Sequence, residues 1–176
     1  GIHGVMDMCN LLRRNKKPYA IAVGHCDNSD VVRQTARLVR AAVAAKDLDG
    51  SSVGVIGGSF KGMGDFLVDS KELKKTFGIK LLEADNHELR TLLSSVSDSE
   101  VAAELAENEQ KFAKGEDINE ENYLYNIKAC LAVRKWIEKH NLDAFSVNFL
   151  KIRDKTIDSM PFIEACKAME RGIGYA

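Results

Sequence analysis

Short apolar runs alternate with longer amphipathic stretches along the whole chain. Four runs rich in branched and aromatic residues have the length of strands, and we predict strands at Tyr19–Val23, Val53–Ile56, Ile79–Glu83 and Ala144–Phe149. Between them, apolar residues recur three or four positions apart, which predicts amphipathic helices. These helices run to Asn15, to about Lys46, over Ser70–Phe77, from Asp85 or Asn86, from Ser97 to about Lys114, over Glu120–His140, and onward from Pro161.

This alternation predicts how the elements pack. Parallel strands need a crossover between them, and a helix normally supplies it. We therefore predict a single α/β domain over residues 1–176, with a doubly wound, mostly parallel sheet and helices on both faces. This is the flavodoxin- or Rossmann-like three-layer arrangement. The closing glycine-rich run, Arg171–Ala176, is interpreted as a turn.

Composition narrows the class of protein. The chain has 176 residues, 45% of them hydrophobic, and a formal net charge of −1, which suits one globular domain. Without a basic cluster we expect no nucleic-acid partner, and no apolar run is long enough to span a membrane. The four cysteines lie far apart in sequence, so we predict buried thiols in a reducing compartment, the cytoplasm. They are Cys9, Cys26, Cys130 and Cys166.

The second predicted strand runs into a loop rich in glycine. Ligands of open α/β sheets bind at the carboxyl ends of strands, where this loop lies. It fits neither phosphate-binding template, because Met63 and Gly64 stand where a P-loop needs Lys and Ser or Thr, and Leu67 replaces the third glycine of a dinucleotide fingerprint. Its side chains suggest a mixed wall for a neutral, partly apolar ligand: Phe60, Lys61, Met63 and Phe66. A plain strand-to-helix connection is an equally weighted interpretation.

Titratable residues give no local catalytic or metal motif. The histidines (His3, His25, His87 and His140) are far apart in sequence. His25, Cys26 and Asp27 follow the first predicted strand, and they either line a site or simply end that strand. Asp69 is placed to cap the next helix. Asp65 could cap it as well, or could serve as an acid/base group or metal ligand, and both interpretations stay open.

Four stretches together resemble the L-arabinose/L-fucose isomerase family: His3–Leu12, Val23–His25, Gly57–Asp69 and Gly172–Ala176. The resemblance covers essentially the whole chain. It implies the middle domain of a three-domain, homo-oligomeric sugar isomerase. In the family, a run similar to the last stretch leads into a Gly-Glu-Gly-Asp motif, and the catalytic part lies beyond that motif.

The resemblance also implies an activity. The family interconverts an aldose and a ketose through an enediol, with a divalent metal, usually Mn²⁺, on the sugar oxygens. Because its metal ligands and acid/base carboxylates lie C-terminal to the matched region, we expect no catalytic and no metal-binding residue in this chain, and no isomerase activity from it alone. The resemblance assigns three residues to the sugar site. Phe60 stands where the family has a lining Met, Tyr175 matches a lining aromatic residue, and His3 matches a residue that reaches the site of a neighbouring subunit. The particular sugar stays open.

A second interpretation comes from another functional class. A self-contained, non-catalytic flavodoxin-like or sugar-binding domain would show the same alternation of strands and helices. It would carry a complete pocket at the strand ends, whereas the isomerase interpretation predicts an incomplete one.

Overall fold

The structure is a computed structural model, and it describes residues 2–60, 62, 67–150 and 157–176. The chain forms two compact units, Gly1–Asp47 and Leu48–Ala176. Of the predicted loop residues, Lys61, Met63, Asp65 and Phe66 lie outside the described residues. The prediction of one domain over residues 1–176 stays a prediction.

The first unit consists of two helices and an extended connection. Helix α1 spans Ile2–Arg14 and α2 spans Val31–Leu48, both close to the prediction. Neither contains a buried residue, and apolar side chains are exposed on both. Such exposed apolar faces are typical of surfaces that another protein surface covers.

The strand predicted at Tyr19–Val23 is wrong. These residues are not assigned to any strand and pair with none of the described strands. A strand exists through hydrogen bonds to a neighbour, and an apolar run in sequence cannot show whether such a neighbour is available. Consequently, the expectation that His25, Cys26 and Asp27 follow a sheet strand loses its basis.

The second unit alternates strands and helices as predicted. Three predicted caps are present: the side chains of Asp69 and Asp85 accept hydrogen bonds from the first turns of their helices, and Ser97 forms a capping box with Glu100. The elements in order are β1 (Ser52–Ile56), α3 (Ser70–Phe77), β2 (Lys80–Glu83), α4 (Asn86–Ser94), α5 (Asp98–Lys111), α6 (Glu120–His140), β3 (Ala144–Val147), α7 (Phe162–Glu170) and β4 (Gly174–Tyr175).

The four strands form one parallel sheet in the order β2-β1-β3-β4. The chain moves from β1 to one side and later returns to the other, which confirms the doubly wound α/β class. The turn predicted within Arg171–Ala176 is present at Arg171 and Gly172, and the short strand β4 follows it. The N–H groups of Gly174 and Ala176 donate to the carbonyls of Asp143 and Phe145, at 2.9 and 3.3 Å. A two-residue strand has no recognisable pattern in sequence, since its partner alone defines it.

The main core lies between α6 and one face of the sheet. Gly54 of β1 sits under this helix, where an added Cβ would lie 2.4 Å from Cη2 of Trp136 and 2.5 Å from Cδ1 of Leu142. The Trp136 side chain is fully buried. Trp136 therefore fills the space that a side chain at position 54 would need.

A buried ionic cluster joins α5, α6 and α7. Arg134 of α6 donates to both carboxylate oxygens of Glu104 at 2.7 and 2.8 Å, and its Nε donates to Glu164 at 2.7 Å. Lys167 of α7 donates to Glu104 at 2.6 Å. Both carboxylates and Lys167 are buried. Burial raises the pKa of Glu104, but hydrogen bonds from Arg134 and Lys167 outweigh that effect, so the pKa lies below its ordinary value.

Three of the four cysteines are not buried. Only Cys130 is a buried thiol, and burial raises its pKa to about 12. The prediction of burial was wrong for Cys26 and Cys166, which are exposed, and Cys9 is intermediate.

No described helix combines the length and the apolar character needed to cross a membrane.

We predict that Gly54→Ala destabilises the protein by about 1–3 kcal/mol, because the new methyl group overpacks the contact with Trp136. Urea unfolding followed by circular dichroism measures this change. Gly115→Ala is the matched control, since an added Cβ there would meet only Ile118, at 4.0 Å. Equal stability of the two variants would contradict the close approach of α6 to β1.

A second prediction concerns acid. A carboxylate whose pKa is lowered in the folded state stabilises the protein above its unfolded pKa of about 4.3 and loses that effect as the pH falls through the folded value. Glu104→Gln should therefore cost about 3–5 kcal/mol at pH 7 and less at pH 3. Glu109→Gln changes an exposed residue of the same helix and should leave the free energy of unfolding unchanged at both pH values. Urea midpoints at both pH values test this, and a cost independent of pH would refute it.

Candidate functional site

The strand order predicts a crevice at the carboxyl ends of β1 and β3. From β1 the chain crosses to β2, whereas from β3 it continues to β4 on the other side. Adjacent strands whose connections leave in opposite directions form a switch point, where open α/β sheets bind ligands. Ile56 and Val147 are paired at these strand ends, so the residues that follow them border the crevice.

Asn148 joins the two loops that border the crevice. Its side-chain amide donates to the carbonyl oxygens of Gly57 and Gly58, at 3.4 and 3.2 Å. Its own side-chain oxygen accepts a hydrogen bond from the N–H of Leu150 at 3.1 Å. The residue is 5% exposed. Asn148 therefore holds the two loops together, and its polar groups are engaged in doing so.

The loop that follows β1 requires glycine at its first two positions. Gly57 and Gly58 have φ values of 82° and 68°, in the left-handed region that favours glycine. A Cβ on Gly58 would also lie 3.1 Å from Oε1 of Glu83, at the end of β2. The backbone turn thus brings the β1 loop next to an exposed carboxylate.

Phe60 forms an aromatic pair at the edge of the crevice. Its ring centroid lies 5.1 Å from that of Phe149, with an angle of 56° between the ring planes. Phe60 is half-buried, whereas Phe149 is exposed. The pair gives the crevice an apolar wall that is open to solvent on one side.

Tyr175 lies in the sheet, on β4, opposite the middle of β3 rather than at its carboxyl end. It ends β4, and its ring packs against Phe145 of β3 with 4.9 Å between centroids. Burial raises the pKa of the Tyr175 hydroxyl above its ordinary value. Phe145 pairs with Gly54 of β1, two residues before the strand ends at Ile56 and Val147, so Tyr175 lies below the level at which the loop that carries Phe60 begins.

His3 belongs to the first unit, where it lies exposed on α1. Its expected role at the sugar site of a neighbouring subunit stays a prediction, as do the lining roles of Phe60 and Tyr175.

The described residues offer one group of potential metal ligands. Ligand atoms of His25, Cys26 and Asp27 lie within 4.8 Å of one another, on an exposed loop of the first unit. Nδ1 of His25 already accepts a hydrogen bond from the Asp27 N–H at 3.2 Å. A thiol and an imidazole suit Zn²⁺ better than Mn²⁺, which favours oxygen ligands. At the described sheet edge, Asn148 is engaged and Glu83 is a single carboxylate, so these residues do not fit Mn²⁺.

Sequence reasoning missed Asn148 and Phe149. Both come directly after the Val147 strand end, so the rule that ligands bind at strand ends could have identified them. The fourth predicted strand was extended to Phe149 on apolar character, two residues beyond the end of β3 at Val147.

Comparison with known proteins gives a distant relationship. No family model matches the chain. L-arabinose isomerase of Thermotoga petrophila is 24% identical over an alignment of 180 residues, and those of Thermotoga sp. strain RQ2 and Thermotoga neapolitana are 23% identical. Each alignment covers 98% of this chain and 35% of the relative, so the chain spans about a third of the length of the curated relatives it matches. Along nearly its whole length, the chain is thus similar to one portion of the L-arabinose isomerases.

Proposed function

We propose that this chain is part of a cytoplasmic aldose–ketose isomerase that acts on L-arabinose, L-fucose or a similar sugar. In this proposal, the chain supplies one wall of the sugar pocket and contacts between subunits. The observation that carries the proposal is the similarity to L-arabinose isomerases over 98% of the chain.

The crevice between β1 and β3 supports a role in binding a neutral sugar. Phe60 and Phe149 present aromatic surface there, which can pack on the apolar C–H face of a sugar ring. Exposed Glu83, beside Gly58, can accept a hydrogen bond from a sugar hydroxyl. One carboxylate on an open edge binds and orients a sugar, but a shift of a proton between two carbons needs further positioned groups.

The proposal places the reaction's metal elsewhere in the parent protein. The described sheet edge does not fit Mn²⁺, so we propose that the Mn²⁺ ligands and the acid/base carboxylates belong to other domains. Homo-oligomer formation is part of the same proposal. Apolar side chains on α1, with Ile2 77% and Met6 61% exposed, support contact with another protein surface.

A non-catalytic sugar-binding or flavodoxin-like domain is the alternative. The topology favours it as much as the isomerase, because a doubly wound sheet hosts both classes. It would require this chain to bind its ligand unaided at the crevice.

We predict that the 176-residue chain alone has no isomerase activity, whereas the product of the whole gene converts an aldose to a ketose. Both proteins are assayed on L-arabinose, L-fucose and D-arabinose with added Mn²⁺. Metal-dependent ketose formation by the chain alone would refute the proposal that the metal ligands and acid/base carboxylates belong to other domains. Sugar binding by the chain together with an inactive full-length protein would favour the alternative.

In the full-length protein, we predict that Phe60→Ala raises the KM for the sugar roughly tenfold, about 1.4 kcal/mol of lost binding, because one ring of the crevice wall is removed. Bound metal, measured by elemental analysis, should stay unchanged. Phe77→Ala removes a half-exposed ring from α3 and is the matched control.

Tyr175→Ala should likewise weaken sugar binding without loss of metal. Because the ring also packs against Phe145, Tyr175→Phe serves as its control, keeping the packing and removing only the hydroxyl. Loss of metal from Phe60→Ala or Tyr175→Ala would show that these residues support the metal rather than the sugar.

A further inference from the structure

Three side chains that commonly bind metals lie together on the connection between α1 and α2. They belong to His25, Cys26 and Asp27, and their ligand atoms lie within 4.8 Å of one another. All three residues are exposed, so a metal ion can reach them from solvent. Among the residues that the structure describes, no other such group occurs. The proposed isomerase function makes no use of it.

A tight turn brings these three side chains together. On an extended strand, successive side chains would point to opposite faces. Here the N–H of Asn28 donates to the carbonyl oxygen of His25 at 3.3 Å, and Oγ of Ser29 donates to the same oxygen at 2.7 Å. Gly24 allows this closure, because an added Cβ there would lie 2.1 Å from Oγ of Ser29. The turn therefore lets three successive residues offer ligands to one ion.

The distance between two of the ligand atoms is close to that in a tetrahedral zinc site. Nδ1 of His25 and Oδ2 of Asp27 lie 3.7 Å apart. Two ligands with bonds of about 2.0–2.1 Å to Zn²⁺ are roughly 3.4 Å apart at the tetrahedral angle. Coordination through Nδ1 replaces its 3.2 Å hydrogen bond from the Asp27 N–H, and water can reach that N–H because the loop is exposed.

The ligand types select the class of metal. A thiolate and an imidazole favour Zn²⁺ over Mn²⁺ or Mg²⁺, which prefer oxygen ligands. The thiolate of Cys26 and the carboxylate of Asp27 together balance the charge of a divalent ion. Within the described part of the chain, this carboxylate pairs with His25 alone, while nearby Arg33 pairs with Asp30. No Lys or Arg described there therefore competes with a metal for it.

We propose that His25, Cys26 and Asp27 bind one Zn²⁺ ion, with a water molecule in the fourth coordination position. Because the thiolate is the ligand, binding releases the thiol proton to solvent. The proposal rests on the geometry of the first unit and does not depend on the proposed isomerase function.

Co²⁺ serves as the spectroscopic probe, since it takes the place of Zn²⁺ in tetrahedral sites and a thiolate ligand gives it a charge-transfer absorption in the near ultraviolet. We expect this absorption when the full-length protein is titrated with Co²⁺. Zn²⁺ should abolish it, whereas the same concentration of Mn²⁺ should not. Cys26→Ser should remove the absorption, and Cys166→Ser, which changes the other exposed thiol, should retain it.

The affinity for Co²⁺ tests the other two ligands and the turn. His25→Ala and Asp27→Asn should each weaken binding by at least about tenfold, since the loss of an outer-shell partner alone costs about 10–100-fold. His87→Ala, at an exposed position of α4, is the matched control. Gly24→Ala keeps all three ligands but should weaken binding by opening the turn. Gly4→Ala is its control, because an added Cβ there meets nothing within 4 Å.

Three results would overturn the proposal. The first is a full-length protein without a charge-transfer absorption that depends on Cys26, and the second is equal displacement of Co²⁺ by Zn²⁺ and Mn²⁺. The third is an unchanged affinity in His25→Ala, Asp27→Asn or Gly24→Ala. If a variant does not fold, alkylation of the unmodified protein by iodoacetamide decides. Zn²⁺ must slow the reaction of Cys26 and leave that of Cys166 unchanged, and equal rates at Cys26 with and without Zn²⁺ would refute the site.

Discussion

The close contact between α6 and the centre of the sheet is the constraint on which the second unit depends. Helix α6 is the longest described helix, and its indole at Trp136 occupies the space left by Gly54 in the central strand. With the helix held at this short distance, Leu89, Phe145 and Ala168 complete a core that includes α4, β3 and α7. Helices α4, α5 and α7 then pack on α6. A side chain at position 54 would push the whole layer outward.

On the far side of α6, ion pairs add to the apolar packing between the helices. Arg134 points toward α5 and α7 and is shared between two buried carboxylates, which are themselves contacted by Lys167 and Arg171. Removing Glu104 or Arg134 takes a partner from at least one other buried charge, which is the costly way to break a buried ion pair. These ion pairs therefore connect α5 and α7 to α6.

The sequence predicted the fold class well, because local signals and packing agree in the second unit. Helix caps at Asp69, Asp85 and Ser97 mark true helix starts, and the apolar periodicity of α6 matches its burial. Tyr19–Val23 and β4 show the limit of such reasoning. The first has strand composition but no strand partner, and the second has a partner but no strand composition. The glycine-rich loop after β1 could be placed at the sheet edge because it follows a clear strand. Asn148 was missed because its role consists of contacts to a loop 90 residues away.

The ionic cluster around Arg134 has a thermal consequence. Hydration of charged groups becomes less favourable on heating, so the penalty for burying them falls, while the apolar contribution per unit area levels off. As the temperature rises, the attachment of α5 and α7 to α6 should depend increasingly on these ion pairs. The contact of α6 with the sheet, which is apolar, does not gain in the same way. Heating would therefore increase the share of the second unit's stability that these ion pairs supply.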